Sequence, residues 1–410
     1  MKMDRWLFGI CSARVFTYLV FMTYAASLAV LKREWHMSAA GAGSISSGFQ
    51  IAYAISLVTF SELADRMGAK RVFLLSHFLS AVASLLFALF ARGYISGLVL
   101  YTLVGLSLGG TYPPALMMIA DRYSSRGRGK AMGFFIASTS VGYALSLAIS
   151  GVILSRGEYL SCFFLTCLGP SVGYMLARIT VASTPNKIFP RREEQKFSTE
   201  VVRNKRAVLY IAAYTFHSWE ILGMWTWTPA FLAACLALSG SGAWKAAGSG
   251  AYAVALFHLM GMFASLSMGS LSDRLGRAFV ILILATTAAT CSFAMGWLVH
   301  FPLAVVIAVG MIYAFSALGD SPILSAGLTE TVDSPYLGAA FAARSFLGFG
   351  AGAVSPLVFG ALLDWANPGF SPGGVYETWG WSYSVLGLGG IGVIWSACIL
   401  HKGKRIRGMR

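Results

Sequence analysis

Apolar residues gather in long runs, at about 6-31, 42-62, 72-91, 96-120, 131-154, 159-181, 207-235, 249-272, 279-299, 301-328, 337-363 and 379-400. A helix that crosses the roughly 30 Å hydrocarbon core of a bilayer needs about 20 apolar residues, so the pattern predicts twelve membrane-spanning helices. Small residues are frequent within the runs, as in Gly348-Phe349-Gly350-Ala351-Gly352, which suits helices whose backbones approach closely in lipid. The clearest charged interruption, 182-206, separates six runs from six. The expected fold is all-α: an N-terminal six-helix bundle over 1-181, a cytoplasmic linker over 182-206 and a C-terminal six-helix bundle over 207-410.

The two halves repeat one another. The turn after the second run reads Ser61-Glu62-Leu63-Ala64-Asp65-Arg66-Met67-Gly68, and the turn after the eighth reads Gly269-Ser270-Leu271-Ser272-Asp273-Arg274-Leu275-Gly276. Leu, Asp, Arg and Gly recur at one offset, since 273 minus 65 and 276 minus 68 both give about 208, half the chain. At nearly the same offset Gly110-Thr111-Tyr112-Pro113 aligns with Gly319-Asp320-Ser321-Pro322, and Gly129 and Gly151 align with Gly338 and Gly360. Parallel repeats of this kind place a substrate site between the halves near mid-membrane.

Composition agrees with a lipid environment: of 410 residues, 57% are hydrophobic and 11% charged, and the mean hydropathy is +0.69. The formal charge of +15 is a matter of sidedness, not of nucleic-acid binding. Lys2, Arg5, Arg66, Lys70, Arg71, Arg122, Arg126, Arg128, Lys130, Arg178, the basic residues of 187-206, Arg274, Arg277 and the tail from Lys402 fall on one side, against Lys32, Arg33, Arg92, Arg156 and Lys245 on the other. By the positive-inside rule both termini and the linker face the cytoplasm of a plasma membrane, the inner membrane in a bacterium. Met1-Lys2-Met3-Asp4-Arg5 and the run behind it look like a signal peptide, but Arg14 interrupts the run and its length is excessive, so a retained first helix is expected. Six cysteines at 11, 162, 167, 235, 291 and 398 show no metal-ligand spacing and read as packing residues. No G-x-x-x-x-G-K-[ST] loop is present to cradle ATP. No cofactor, metal or enzymatic nucleophile is expected, and the chain reads as a monomer whose partners are lipid, a small-molecule substrate and protons.

The paired turns resemble the loop motif G-x-L-x-D-R-x-G-R-R/K of the major facilitator superfamily, and the resemblance in span count, charge sidedness and repeat covers essentially the whole chain. It implies that Asp65 engages the start of the eleventh helix and arginines such as Arg126 or Arg128, latching the cytoplasmic side shut; a carboxylate at a positive helix N-terminus is physically sensible. Arg66, Asp273 and Arg274 complete the gating candidates. The bland alternative is that Asp65 and Asp273 only shape tight turns. The chain departs from the motif where Ser61 replaces the first Gly, Ala69 replaces a basic residue, and Ala278 and Phe279 weaken the second copy.

Ionisable residues within spans cost roughly 2.5–3.5 kcal/mol each and are functional candidates by default. Arg14 lies about 12 Å inside the first helix, on one face with Cys11, Tyr18 and Phe21. Its planar fork of donors suits carboxylate or phosphate, and it is similar to the anion-binding Arg of organic-anion porters in the superfamily. In the seventh span His217 and Glu220 share a face with Gly223 and Trp227. Glu220 is a candidate proton carrier tuned by His217, or alternatively the ionised partner of Arg14. Asp320 in the tenth span, a second candidate for proton coupling, and Arg344 in the eleventh could pair as a gate, or Arg344 could join Arg14 in the substrate site. His258 reads as a hydrogen-bonded packing residue. The substrate-binding candidates are thus Arg14, Tyr18, His217, Trp227 and Arg344. The second and eighth spans lack the mid-membrane Arg of nitrate porters, and the fifth lacks the Gly-Pro pattern of drug and proton antiporters.

The expected function is secondary transport of a small organic anion such as a carboxylate by alternating access, coupled to protons. Efflux of amphipathic or aromatic compounds, suggested by Trp219, Trp225, Trp227, Tyr210 and Tyr214, and a transport-inactive receptor with the same fold stay open as alternatives.

Overall fold

Apolar side chains let a helix enter lipid, and its internal hydrogen bonds leave no backbone group exposed there. The structure, a computed structural model, describes residues 4–123, 125–188, 199–333, 336–369 and 374–407. Counted across short 3-10 turns, the long helices are α1 Arg5–Glu34, α2 Ala39–Met67 and α3 Ala69–Phe90, α4 Tyr94–Arg122, α5 Ser125–Leu154 and α6 Tyr159–Thr180. After a short helix at Thr199–Arg203 come α7 Lys205–Leu238 and α8 Ala243–Leu275, α9 Arg277–Leu298, α10 Leu303–Thr329, α11 Leu337–Ala366 and α12 Gly380–Arg407. Among the described residues 11 candidate membrane spans meet the combined demand of length and hydropathy. The twelfth helix, α2, is 29 residues long, but its first turns carry Ser46, Ser47 and Gln50, all buried inside the protein. Those three side chains turn to neighbouring helices while Ile51, Ile55 and Val58 of the same helix stay exposed, so the polar groups avoid lipid.

Local chemistry sets the helix ends. Asp4, Ser38 and Asn204 cap α1, α2 and α7 by accepting hydrogen bonds from first-turn amides. The two motif turns close on Gly68 (φ 90°, ψ 141°) and Gly276 (φ 95°, ψ 133°). A side chain rarely adopts this backbone conformation, which is why glycine stands at both copies. Their near-identical dihedral angles carry the sequence repeat into three dimensions. In α4 the helix tightens at Gly109–Thr111 ahead of Pro113, since proline supplies no amide to the ladder, and Tyr112 sits at that break.

Contacts between the first six and the last six helices are unevenly distributed. α2 packs along α11, α5 along α8, and the second part of α1 against α7. A Cβ at Gly43 would meet the Pro356 carbonyl, and one at Gly360 would meet that of Ala39. Near the end of α5 and the start of α8, a Cβ at Gly151 would approach the Gly248 carbonyl to 2.8 Å. All these contacts lie on the membrane face opposite the termini. Towards the terminal face, Gly133 on α5 and Gly269 on α8 have open space where a Cβ would stand. Among the described residues, no hydrogen bond or ion pair joins the halves there. The halves therefore meet on the far face and part towards the face that carries both termini.

Candidate functional site

α1 and α5 bring Arg14 into a cage of rings. The side chain is only 5% exposed, and its guanidinium carbon lies 4.4 Å from the Tyr18 ring, 4.8 Å from Tyr112 and 4.5 Å from Phe135. Nε donates to Thr139 Oγ1 at 2.6 Å, whereas Nη1 is buried without an acceptor. Among the described residues no carboxylate is in ion-pair reach of Arg14. The alternative pair with Glu220 is not formed, because Glu220 faces away into the second half. Cation–π contact of this kind stabilises a desolvated guanidinium by about 2 kcal/mol, but rings do not satisfy an N–H donor.

Arg344 approaches from the other half. Its guanidinium carbon sits 3.9 Å over the Tyr214 ring and 4.9 Å from Phe341, Nη1 donates to Ser325 at 2.7 Å, and Nε is buried without an acceptor. Tyr112 stands in the electrostatic field of both Arg14 and Arg344. One tyrosine at the α4 break is thus common to two arginines from opposite halves. The alternative gate between Arg344 and Asp320 is absent, since Asp320 turns to His217 instead.

His217 Nδ1 lies 2.8 Å from Asp320 Oδ1 in a buried pair. Asp320 Oδ1 nevertheless accepts no aligned hydrogen bond, so the contact is an ion pair only when the imidazole is protonated. Glu220, 4% exposed, also faces α10, within the field of Asp320 and in hydrogen-bond contact with Tyr313. The Tyr313 hydroxyl donates to Ser292 Oγ at 3.0 Å, and Ser292 donates to the Tyr383 carbonyl at 2.9 Å. A carbonyl only accepts, so the direction of this chain is fixed. The Glu220 Oε1 atom has no partner of its own.

Residues 10–356 match the Major Facilitator Superfamily. The chain belongs to this family. As a major facilitator it is a transporter rather than an enzyme. It is 25% identical over 344 residues to the probable 4-methylmuconolactone transporter of Cupriavidus pinatubonensis, covering 79% of this chain and 76% of that protein. A shorter match, 28% over 124 residues, covers 30% of this chain and 27% of the gallate transporter of Pseudomonas putida. Among solved structures, a bacterial homologue of the human lysosomal transporter Spinster in an inward-facing, occupied conformation superposes with a TM-score of 0.73. It shares 15% identity, over 97% of this chain and 96% of that one, a likeness of fold alone.

Several expected site residues of this major facilitator lie apart from Arg14. Trp227 is fully buried, stacked on Phe359 at 5.1 Å with Nε1 donating to the Pro356 carbonyl at 3.0 Å. It belongs to the packed layer on the far face. His258 is not the hydrogen-bonded packing residue expected: its ring stacks on Trp225 at 3.7 Å, faces Tyr143 of the first half at 5.3 Å, and its buried Nε2 takes no hydrogen bond. With the contact of Tyr53 and Phe349 at 5.4 Å, these rings form an aromatic partition between the Arg14 cage and the far face. A cavity of about 100 Å³ lies beyond it, away from Arg14, lined by Lys32, Trp227, Trp244 and Tyr376 among others.

The gating candidates are spread along the terminal face. Arg66 pairs with Glu62 at 2.6 Å and Asp273 with Arg277 at 2.9 Å. Asp65 is half-buried and Arg128 exposed, while the side chain of Arg126 and residues 189–198 of the basic linker lie outside the described residues. Among the described residues Asp65 makes no hydrogen bond or ion pair, and the residues ahead of α11 at 334–335 lie outside them. Sequence reasoning missed Tyr112, Phe135, Thr139 and Tyr214 as neighbours of the arginines. Its one available signal was Tyr112 beside the Pro113-Pro114 break.

Proposed function

We propose that this chain carries a small organic anion, a carboxylate, by alternating access of the halves 1-181 and 207-410 about the linker 182-206, with proton coupling through Glu220 and Asp320. The carrying observation is Arg14: a buried guanidinium with an orphan donor and no protein counter-ion. Leaving such a charge unpaired costs several kcal/mol, a penalty that a bound carboxylate offsets. Arg344, with its own orphan donor, supplies a second anchor from the opposite half, and Tyr18 and Tyr112 wall the site. The relatives' names, a probable methylmuconolactone transporter and a gallate transporter, lend support to an organic acid as cargo.

His217 belongs in this reading with Asp320 and Glu220 rather than with the substrate. With the terminal face taken as cytoplasmic, on the strength of its Lys and Arg, the structure is an inward-facing state.

Thermal stabilisation of the purified protein by benzoate, gallate and malate, with glucose and a quaternary ammonium dye as controls, tests the cargo. Stabilisation by a carboxylate that is lost in Arg14→Gln is expected. Stabilisation by the dye or the sugar alone would refute the assignment.

A further inference from the structure

Asp364, near the end of α11, reaches across to the other half. Its Oδ1 accepts from the Ala39 amide at 2.9 Å and its Oδ2 from the Ala40 amide at 2.8 Å, the first amides of α2. Those amides lack helical partners and carry the positive end of the helix dipole. The Tyr376 hydroxyl donates to the same Oδ1 at 2.6 Å, and the Lys32 ammonium lies 3.5 Å from the Tyr376 ring centre. Burial and the neighbouring Asp364 carboxylate raise the Tyr376 pKa, so the phenol stays a donor. The two amide bonds to Asp364 join the halves among the described residues. They sit where Gly43 and Gly360 bring α2 and α11 into backbone contact.

We propose that Asp364 is a positioning residue of the transport cycle, a latch that holds the far face shut by capping α2 from α11. It rests on the alternation of access proposed above, but not on the cargo or on protons. The geometry carries its own reason for reversibility. When the halves part on this face, both the carboxylate and the α2 amides gain water, so the latch trades two protein hydrogen bonds for solvation rather than leaving buried orphans. Asp65 stands at the other end of α2, beside the open end of the cleft. The same helix pair thus carries acidic groups at both membrane faces, and rocking that closes one end opens the other.

The test uses spin labels on Arg156→Cys and Ser239→Cys, exposed positions in the α5–α6 and α7–α8 turns of the far face, in a background free of native cysteines. Distances are read without substrate, so failure of the cargo assignment leaves the outcome untouched. In Asp364→Asn and Asp364→Ala the far-face-open population should rise at least about tenfold relative to the closed one, the loss expected for one charge-assisted hydrogen bond. Tyr376→Phe keeps both amide contacts and should shift it less. Folded Asp364 variants with unchanged distance distributions would overturn the proposal. So would loss of the fold in both variants, because a latch between halves is dispensable for the packing within each.

Discussion

Replacing Arg14 with Gln removes the charge while keeping a shorter polar side chain. In the proposed site the guanidinium makes a charge-assisted contact to a carboxylate, worth about 1.5–3 kcal/mol. Affinity should therefore fall about 10- to 150-fold. The effect on folding goes the other way from intuition. Gln forgoes the bond to Thr139 at 2.6 Å and the three ring contacts, but it also ends the desolvation of a charge whose Nη1 has no acceptor. These terms are of similar size, so stability should change by only about 1–2 kcal/mol. A structural ion pair would instead lose about 3–5 kcal/mol when one partner is removed. Arg14→Lys keeps charge but not the fork and should fall between wild type and Gln in affinity. Thr139→Val leaves Nε without its acceptor and should weaken binding up to about tenfold and cost about 1–3 kcal/mol of stability. The assay pairs a melting curve in detergent with calorimetric titration of the carboxylate found to stabilise the protein. Normal affinity in a folded Arg14→Gln variant would refute the site, and collapse of the fold without ligand would refute the account of Arg14 as an unpaired charge.

Glu220→Gln keeps the shape of the carboxyl while removing its titration, so folding should change by less than about 1 kcal/mol. Proton-driven accumulation in proteoliposomes should fail while substrate exchange continues; retained accumulation would remove Glu220 from the coupling. Asp65→Asn should slow transport and favour the terminal-face-open state without altering substrate affinity, and unchanged turnover together with unchanged label distances on that face would reduce Asp65 to a turn residue.

Much of the fold was legible because lipid imposes a simple rule on length and polarity, and because a repeat needs only the chain compared with itself. The shared face of Arg14 and Tyr18 follows from helical periodicity and reappears as the ring contact at 4.4 Å. His217 and Glu220 likewise both turn to α10. What periodicity cannot give is the partner across helices. Thr139 is 125 residues from Arg14, and no local signal distinguishes it from other buried hydroxyls. Asp320 was a candidate partner of Arg344, and only the rotation of α10 against α7 brings it to His217 instead. Asp364 escaped attention because a single carboxylate near the end of an apolar run looks like an ordinary interfacial residue.

The two chemistries sit on different helices, and the structure offers a contact path between them. Arg344 lies over the Tyr214 ring at 3.9 Å, the Tyr214 ring centre is 5.5 Å from that of His217, and His217 approaches Asp320 to 2.8 Å. A guanidinium at one end of this row opposes positive charge at the other. For unit charges on the order of 10 Å apart at an effective dielectric of about 20, the repulsion is about 1.7 kcal/mol. In the proposed cycle a carboxylate at Arg344 offsets that charge and so favours a proton on the cluster of His217, Asp320 and Glu220. By linkage the proton must favour the carboxylate equally. The sign is that of symport: affinity for the anion should rise as the pH falls through the titration of the cluster, by up to about tenfold. Arg344→Gln should weaken binding and flatten this dependence together, whereas Asp320→Asn with His217→Asn should flatten it while the arginines still bind. An affinity that falls on acidification in the wild-type protein, for a substrate whose own ionisation is complete over the range, would reverse the sign of the coupling and sink the path.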